Sequence, residues 1–535
     1  MQSPPALALL NGRVYTLDRQ RPVAEALFAW QGRVAHAGTA AEVRALAGQA
    51  PGAQTIDLQG GCAVPGLTDS HIHLLSYGLN LSRVPLSGIT SREAALERVG
   101  AAAQAAVGAA GAWVEGWGWD HSLWPERRFP DRAALDAVAP GVPVALRRKD
   151  GHMVWVNGAA LATAGVTRGT PDPEGGRIGR DEHGEPDGLL FERAQDLIFR
   201  AIPPPSEARA EGGAREAQTA LHRMGVTGVH IPEGAQTLRA LQVLARAGAL
   251  RLRTTAMLPY SGLDAALELG LRSGLGDDWL RIGPVKLFMD GSLGSETAAM
   301  LEPFAGSEHN RGILTLGIDE VRKALRRAAG GGLACAVHAI GDRANRIVLD
   351  AFEATRNAWG PRGLRQRIEH VQVLHADDLP RFAALGVLAS VQPIHATQDK
   401  DLVDRLWGAR GRYAYAFRSL LDHGARLAFG SDAPVETPDP LAGLYAAVAR
   451  RRAGGDPEGG WYPEERVSLE EALRAYTTGA AYAAGLEETA GTLGPGKWAD
   501  VTCLSRDVLR EPAEALLETA VTHTVVGGEV VYSAS

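Results

Sequence analysis

The chain has 535 residues, 45% hydrophobic and 22% charged, with a formal net charge of −7. That length accommodates several domains of about 150 residues or one large barrel with an appendage, with ample core either way. The mild acidity excludes the basic stripe that releases counterions from nucleic acid or an anionic membrane. Three dispersed cysteines (Cys62, Cys335, Cys503), with no C-x-x-C, exclude a disulfide framework and a thiolate metal site. The opening segment MQSPPALALLNGR has no positive region and only a five-residue apolar run, Ala6 to Leu10. The expectation is a soluble, cytoplasmic protein without signal peptide or membrane span.

In chain order, the first sixty residues contain strand-like ALALLNGRVYTL and EALFAWQGRVAHAG, with Asn11-Gly12 and Gln31-Gly32 as turns. Lys497 to Leu504 and Val521 to Val531 resemble them at the other end, with Gly527-Gly528 as a hairpin turn. The two ends therefore predict one small β-sandwich domain built from residues 1–62 and 488–535. Between them, residues 63–487 carry eight apolar runs. These are VPGLTDSHIHL (64–74), GVTGVHI (225–231), LRTTAML (252–258), GPVKLFMDGS (283–292), LACAVHAIGD (333–342), QRIEHVQVL (366–374), GVLASVQPIHA (386–396) and RLAFGSDAP (426–434). Helix-like segments such as 318–330 and 343–359 separate them. Eight strands with intervening helices make the count of a (β/α)8 TIM barrel, an α/β fold whose chemistry sits at the strands' C-terminal ends. The long interval after the first run, with AWVEGWGWD and VPVALRRKD as strand-like pieces, reads as a subdomain inserted over about 76–220, above the active-site mouth.

The sharpest local signal is Asp69-Ser70-His71-Ile72-His73. Side chains alternate along a strand, so His71 and His73 share a face and together can hold a divalent cation. His338, His370 and Asp432 end three later runs. Each alone reads as a core histidine or a helix-capping aspartate, but together at successive strand ends they form a donor set for a borderline cation such as zinc, poor for Ca²⁺ or Mg²⁺. Lys286, in PVKLFMDGS, is costly in an apolar strand unless paired or neutralised. Either it pairs with Asp290 or reaches the surface, or burial beside a metal lowers its pKa so that the free amine adds CO₂, giving a carbamate that bridges two cations.

This set of H-x-H, Lys, His, His and Asp resembles the amidohydrolase superfamily. The stretches Lys286 to Ala298 (KLFMDGSLGSETA), Asp150-Gly-His with Trp155 and Asn157, and Val337-His-Ala-Ile-Gly-Asp are similar to its YtcJ-like branch, which includes N-substituted formamide deformylases. The resemblance spans essentially the whole chain. It implies a metal-dependent barrel hydrolase with one or two divalent metals, zinc foremost. His71, His73 and Asp432 would serve one metal, His338 and His370 the other, with carboxylated Lys286 between them. It implies attack by metal-activated water, with Asp432 as general base and then acid, and His338 and His370 beside the polarised carbonyl.

The expected reaction is hydrolysis of a non-peptide C–N bond in a small molecule, with an N-formyl or N-acyl amine the best substrate. The same machinery can open a cyclic amide, deaminate a ring or cleave an ester. A barrel kept for regulation or ligand binding is the non-catalytic alternative, opposed by six intact polar positions. Candidate substrate contacts are His152, Trp155 and Asn157 in the insertion, Asp290 and Ser292 after the fourth run, and Gln392 and His395 after the seventh. Trp113, Trp117, Trp119 and Trp124 read as core or as an aromatic wall for an apolar substituent. A homodimer is compatible with this architecture, although no isologous patch is marked.

Overall fold

The computed structural model describes residues 6–108, 111–149, 151–173 and 175–534, so Asp150 lies outside the described residues. The chain forms two compact units, residues 1–78 with 210–535, and residues 79–209.

The first unit contains eight parallel strands, each paired with the next: β1 (Leu67–Asp69), β2 (Val226–Ile231), β3 (Arg253–Pro259), β4 (Leu280–Phe288), β5 (Cys335–Ala339), β6 (Arg367–His370), β7 (Leu388–Val391) and β8 (Leu427–Phe429). Six of the eight fall within the apolar runs read from the sequence, as expected for strands covered on both faces. Of the other two, β3 passes the end of its run by one residue, at Pro259, and β4 begins three residues before its run, at Leu280. The intervening helices lay one stripe on the sheet. In Ile318–Gly330 the buried residues Val321, Ala324, Leu325 and Ala328 follow helical spacing.

Between β8 and β1 the barrel meets through individual bonds. Ser70 N–H donates to Phe429 O at 2.9 Å and Asp432 N–H to His71 O at 2.7 Å. The Asp69 carboxylate stitches the same seam. Oδ1 accepts from the backbone N–H of His71 and of Ser431, each at 3.0 Å, and Oδ2 from Ser431 Oγ at 2.5 Å. Gly430 is required there, since a Cβ would meet His71 N at 2.6 Å and Asp69 Oδ1 at 2.9 Å.

In the same unit, two sheets pack face to face through Leu7, Leu9, Val14, Leu27, Val501, Cys503 and Val525. One has four strands from the N-terminal sixty residues. The other has six, with Cys62–Pro65 beside Val501–Leu504, so both chain ends contribute. Arg253, at the start of β3, ties this sandwich to the barrel. Its guanidinium donates twice to Asp500, at 3.0 and 3.1 Å, and stacks on Trp279 and Trp498, each 4.2 Å from ring centroid.

Residues 79–209 form a six-stranded mixed sheet. Helices Arg92–Ala106 and Arg132–Val138 cover one face, and Gly158–Thr163 and Gln195–Phe199 the other. Trp119, Trp124 and Trp155 fill one face, with centroids 5.9 to 6.1 Å apart and each at most 1% exposed. The tryptophan stripe is therefore core, with Trp113 also buried and Trp117 partly exposed. Among the described residues, no helix is long and apolar enough to cross a membrane.

His222 gives the fold a pH signature. It is buried, donates from Nε2 to Arg251 O at 3.0 Å, and accepts from Thr524 Oγ1 at its carbonyl at 2.6 Å. Burial pushes its pKa down to about 4. A lowered native pKa means that the unfolded chain binds the proton first as pH falls. The contribution is complete above about pH 6.5 and lost towards pH 4, by about 3 kcal/mol. Denaturant unfolding of wild type and His222→Gln across that window should show a shallower pH dependence in the variant.

Candidate metal centre

The H-x-H segment leaves β1 at the seam, and Asp432 follows β8 three residues on, so the Asp69 stitch sets their separation. His71 Nε2 lies 3.5 Å and His73 Nε2 3.3 Å from Asp432 Oδ1. One donor atom from each of these three residues falls within 4.8 Å of the others. The His370 ring packs against both His71, tilted at 55°, and His338, edge-on at 66°, with centroids 4.9 and 4.5 Å away. Lys286, from β4, is buried beside them with Nζ 4.8 Å from the centroid of the half-exposed Phe288 ring. Phe288 is itself 5.3 Å from the His338 ring. His370 (φ 77°) and Asp432 (φ 59°) hold left-handed backbone, strain of order 1–3 kcal/mol each that clusters at working sites.

Hydrogen bonds assign which ring nitrogen faces inward. His71 Nδ1–H donates to Glu369 Oε2 at 2.6 Å, which leaves Nε2 free toward Asp432. His370 Nδ1–H donates to Gln392 Oε1 at 2.9 Å, and His338 Nε2–H to Gly291 O at 2.9 Å. Such outer partners fix the tautomer and raise the basicity of the opposite nitrogen.

Burial, then the charge of Lys286, lowers the pKa of His71 and takes that of His338 down to about 3. His370 is pushed well below its ordinary value by burial and then by His338. These rings are neutral donors at pH 7. Burial raises the pKa of Asp432, but its close contact with His73, at 3.3 Å, outweighs it and holds the carboxyl well below the usual range. Burial lowers Lys286 to about 8, leaving roughly a tenth as free amine at pH 7. Its pairing with Asp290 is not seen, because that carboxylate is spent on backbone amides.

Lys286 Nζ and Asp432 Oδ1 are both buried without a hydrogen-bond partner. Two orphaned polar atoms, costly in a core, thus face a set of neutral imidazole nitrogens and a carboxylate. That donor chemistry fits a borderline divalent cation.

The family model for the amidohydrolase family matches residues 54–532 of this chain. The chain belongs to the amidohydrolase family. Protein LONG AFTER FAR-RED 3 of Arabidopsis thaliana is 36% identical over 99% of this chain and 93% of its own. The putative amidohydrolase YtcJ of Bacillus subtilis is 32% identical over 98% and 99%. The N-substituted formamide deformylase of Arthrobacter pascens is 31% identical over 98% of both. Among solved structures, an uncharacterized metal-dependent hydrolase from Pyrococcus furiosus superposes with a TM-score of 0.78 at 32% identity, covering 94% of this chain and all of the other.

Within this amidohydrolase, the seven residues read as substrate contacts have varied places. Asn157 is fully buried, its Nδ2 donating to Ala139 O and Val142 O and its Oδ1 accepting from the N–H of Val144 and Ala160. Trp155 is core, with Nε1–H on Asp131 O. Neither has a group left for a substrate. His152 is exposed and pairs with Glu192 at 2.9 Å. Gln392 orients His370, and buried His395 donates to Ser431 O at 3.2 Å. Ser292 sits in an exposed loop against Ser295. Asp290 is buried and accepts from the N–H of Ala299, Ile340 and Gly341 at 2.9 to 3.0 Å, bracing the loops after β4 and β5. Burial pushes its pKa up to about 7 against those three donors.

Sequence reasoning passed over Arg367 and Glu369, although both stand in the same RIEH run as His370. The available signal was an Arg and a Glu two residues apart in a barrel strand, hence on one face of it.

Asp290→Ala removes the acceptors of three buried amides and should cost about 3 kcal/mol or more, read as a lowered unfolding midpoint. An unchanged midpoint with a raised KM would instead make Asp290 a substrate contact.

Proposed function

We propose that this amidohydrolase hydrolyses a carbon–nitrogen bond other than a peptide bond, in an N-formyl or N-acyl amine, at one or two divalent cations, zinc foremost. The observation that carries the reading is the convergence of His71, His73 and Asp432 with the unpartnered Lys286 amine and the His338–His370 pair. His71, His73 and Asp432 would hold one cation, and His338 and His370 a second beside carboxylated Lys286. The 31% identity to a formamide deformylase supports the choice of bond. The work is that of a cytoplasmic, homodimeric enzyme on a small molecule.

A bound cation supplies Lewis acidity to the scissile carbonyl and acidifies water in the site. The remaining steps belong to the chain. Asp432, ionised and only 12% exposed at its side chain, takes a proton from the attacking water and delivers it to the departing nitrogen. His73, about a third exposed, stands on the open side. His71, His338 and His370, kept neutral by burial, do not compete for that proton. Phe288 gives an apolar surface next to the reacting groups.

N-substituted formamides incubated with the zinc-loaded protein should release formate and the free amine. Asp432→Asn should retain at least half of the wild-type metal while kcat falls 10²–10⁴-fold, the range of general acid–base catalysis. Full activity in that variant would remove Asp432 from the proton-transfer role. Ammonia released from a ring amine, with no formamide turned over, would replace deformylation with deamination.

A further inference from the structure

Barrel interiors are ordinarily layers of branched apolar side chains. Beneath this metal centre the layer is ionic instead. Arg367, on β6 and 1% exposed, directs its guanidinium at three partners. Nε donates to Glu369 Oε1, Nη1 to His230 Nδ1 at 2.9 Å, and Nη2 to Ser70 O at 2.7 Å. Glu369, fully buried, has its other oxygen on His71 Nδ1. His230, 2% exposed on β2, accepts from Ile72 N–H at its carbonyl at 3.1 Å. The network thus grips Ser70, His71 and Ile72, the backbone that carries the H-x-H pair, from β2 and β6 at once.

Taking an Arg–Glu pair out of water is expensive, and apolar replacements of similar volume are often as stable or more so. Stability of the barrel is therefore a weak reason for this pair. Both Glu369 oxygens are already engaged, so it is neither a free ligand nor a base, and Arg367 keeps it from swinging toward the donor cluster.

We propose that Arg367 and Glu369 are positioning residues that set the His71 tautomer and the path of the H-x-H segment, and so set metal affinity. The inference rests on the metal reading above, and not on the identity of the bond cleaved. The test uses Glu369→Leu, Arg367→Met and the double variant of the full chain, stripped of metal and titrated with Co²⁺ alone while its d–d absorption is followed, beside thermal unfolding. Each single variant should bind Co²⁺ 10–100-fold more weakly, the range for loss of an outer partner, and should also unfold earlier because one buried charge is left unpaired. The double variant should recover the wild-type unfolding midpoint while its Co²⁺ affinity stays weak. A double variant that binds Co²⁺ as tightly as wild type would overturn the proposal. So would one no more stable than the single variants, since the pair would then be holding the fold. A wild-type chain that takes up no Co²⁺ would overturn the metal reading, and this inference with it.

Discussion

The arrangement of the site depends on the carboxylate of Asp69 at the barrel seam. A parallel barrel has to bring its first and last strands together, and here β1 and β8 meet through a few bonds centred on that side chain. Because the stitch lies at the strands' C-terminal ends, it fixes the two segments that supply His71, His73 and Asp432. Ring closure and donor geometry are thus one constraint. Gly430 belongs to it, leaving no room for a side chain where the two backbones approach.

Around that seam the barrel concentrates groups that a core ordinarily rejects. Neutral imidazoles, a partnerless amine and a partnerless carboxylate oxygen are gathered in a space largely closed to water. Each would be a defect alone, and together they compensate one another only by sharing a positive centre. The same burial that makes them costly keeps the rings unprotonated and draws the lysine pKa toward neutrality. Stability and reactivity are set by the same desolvation.

Much of this was legible in the sequence because barrels write their architecture locally. An apolar run that ends in one polar residue is a strand delivering a side chain to the mouth, and eight such runs in order gave the fold. His71, His73, His338, His370 and Asp432 stood out for the same reason, and Lys286 as a charge inside an apolar strand. The partners of polar groups were not legible, because hydrogen bonds ignore sequence distance. Asn157 and Trp155 looked available beside a strand, yet their polar atoms are used inside their own unit. Asp290 looked like a substrate contact, and it is bound to amides as far away as Gly341. Glu369 was hidden by its neighbour His370, and its partner His71 lies 298 residues earlier.

The account stands on a metal centre that includes Lys286. The most direct measurement is metal per chain by elemental analysis, on protein prepared with bicarbonate and on Lys286→Ala prepared alongside. The account predicts one or two equivalents in the wild type, and where two are bound a fall to one or none in the variant. One equivalent in both would contradict the bridging role of Lys286, and no metal in either, even after reconstitution with zinc, would contradict the centre itself.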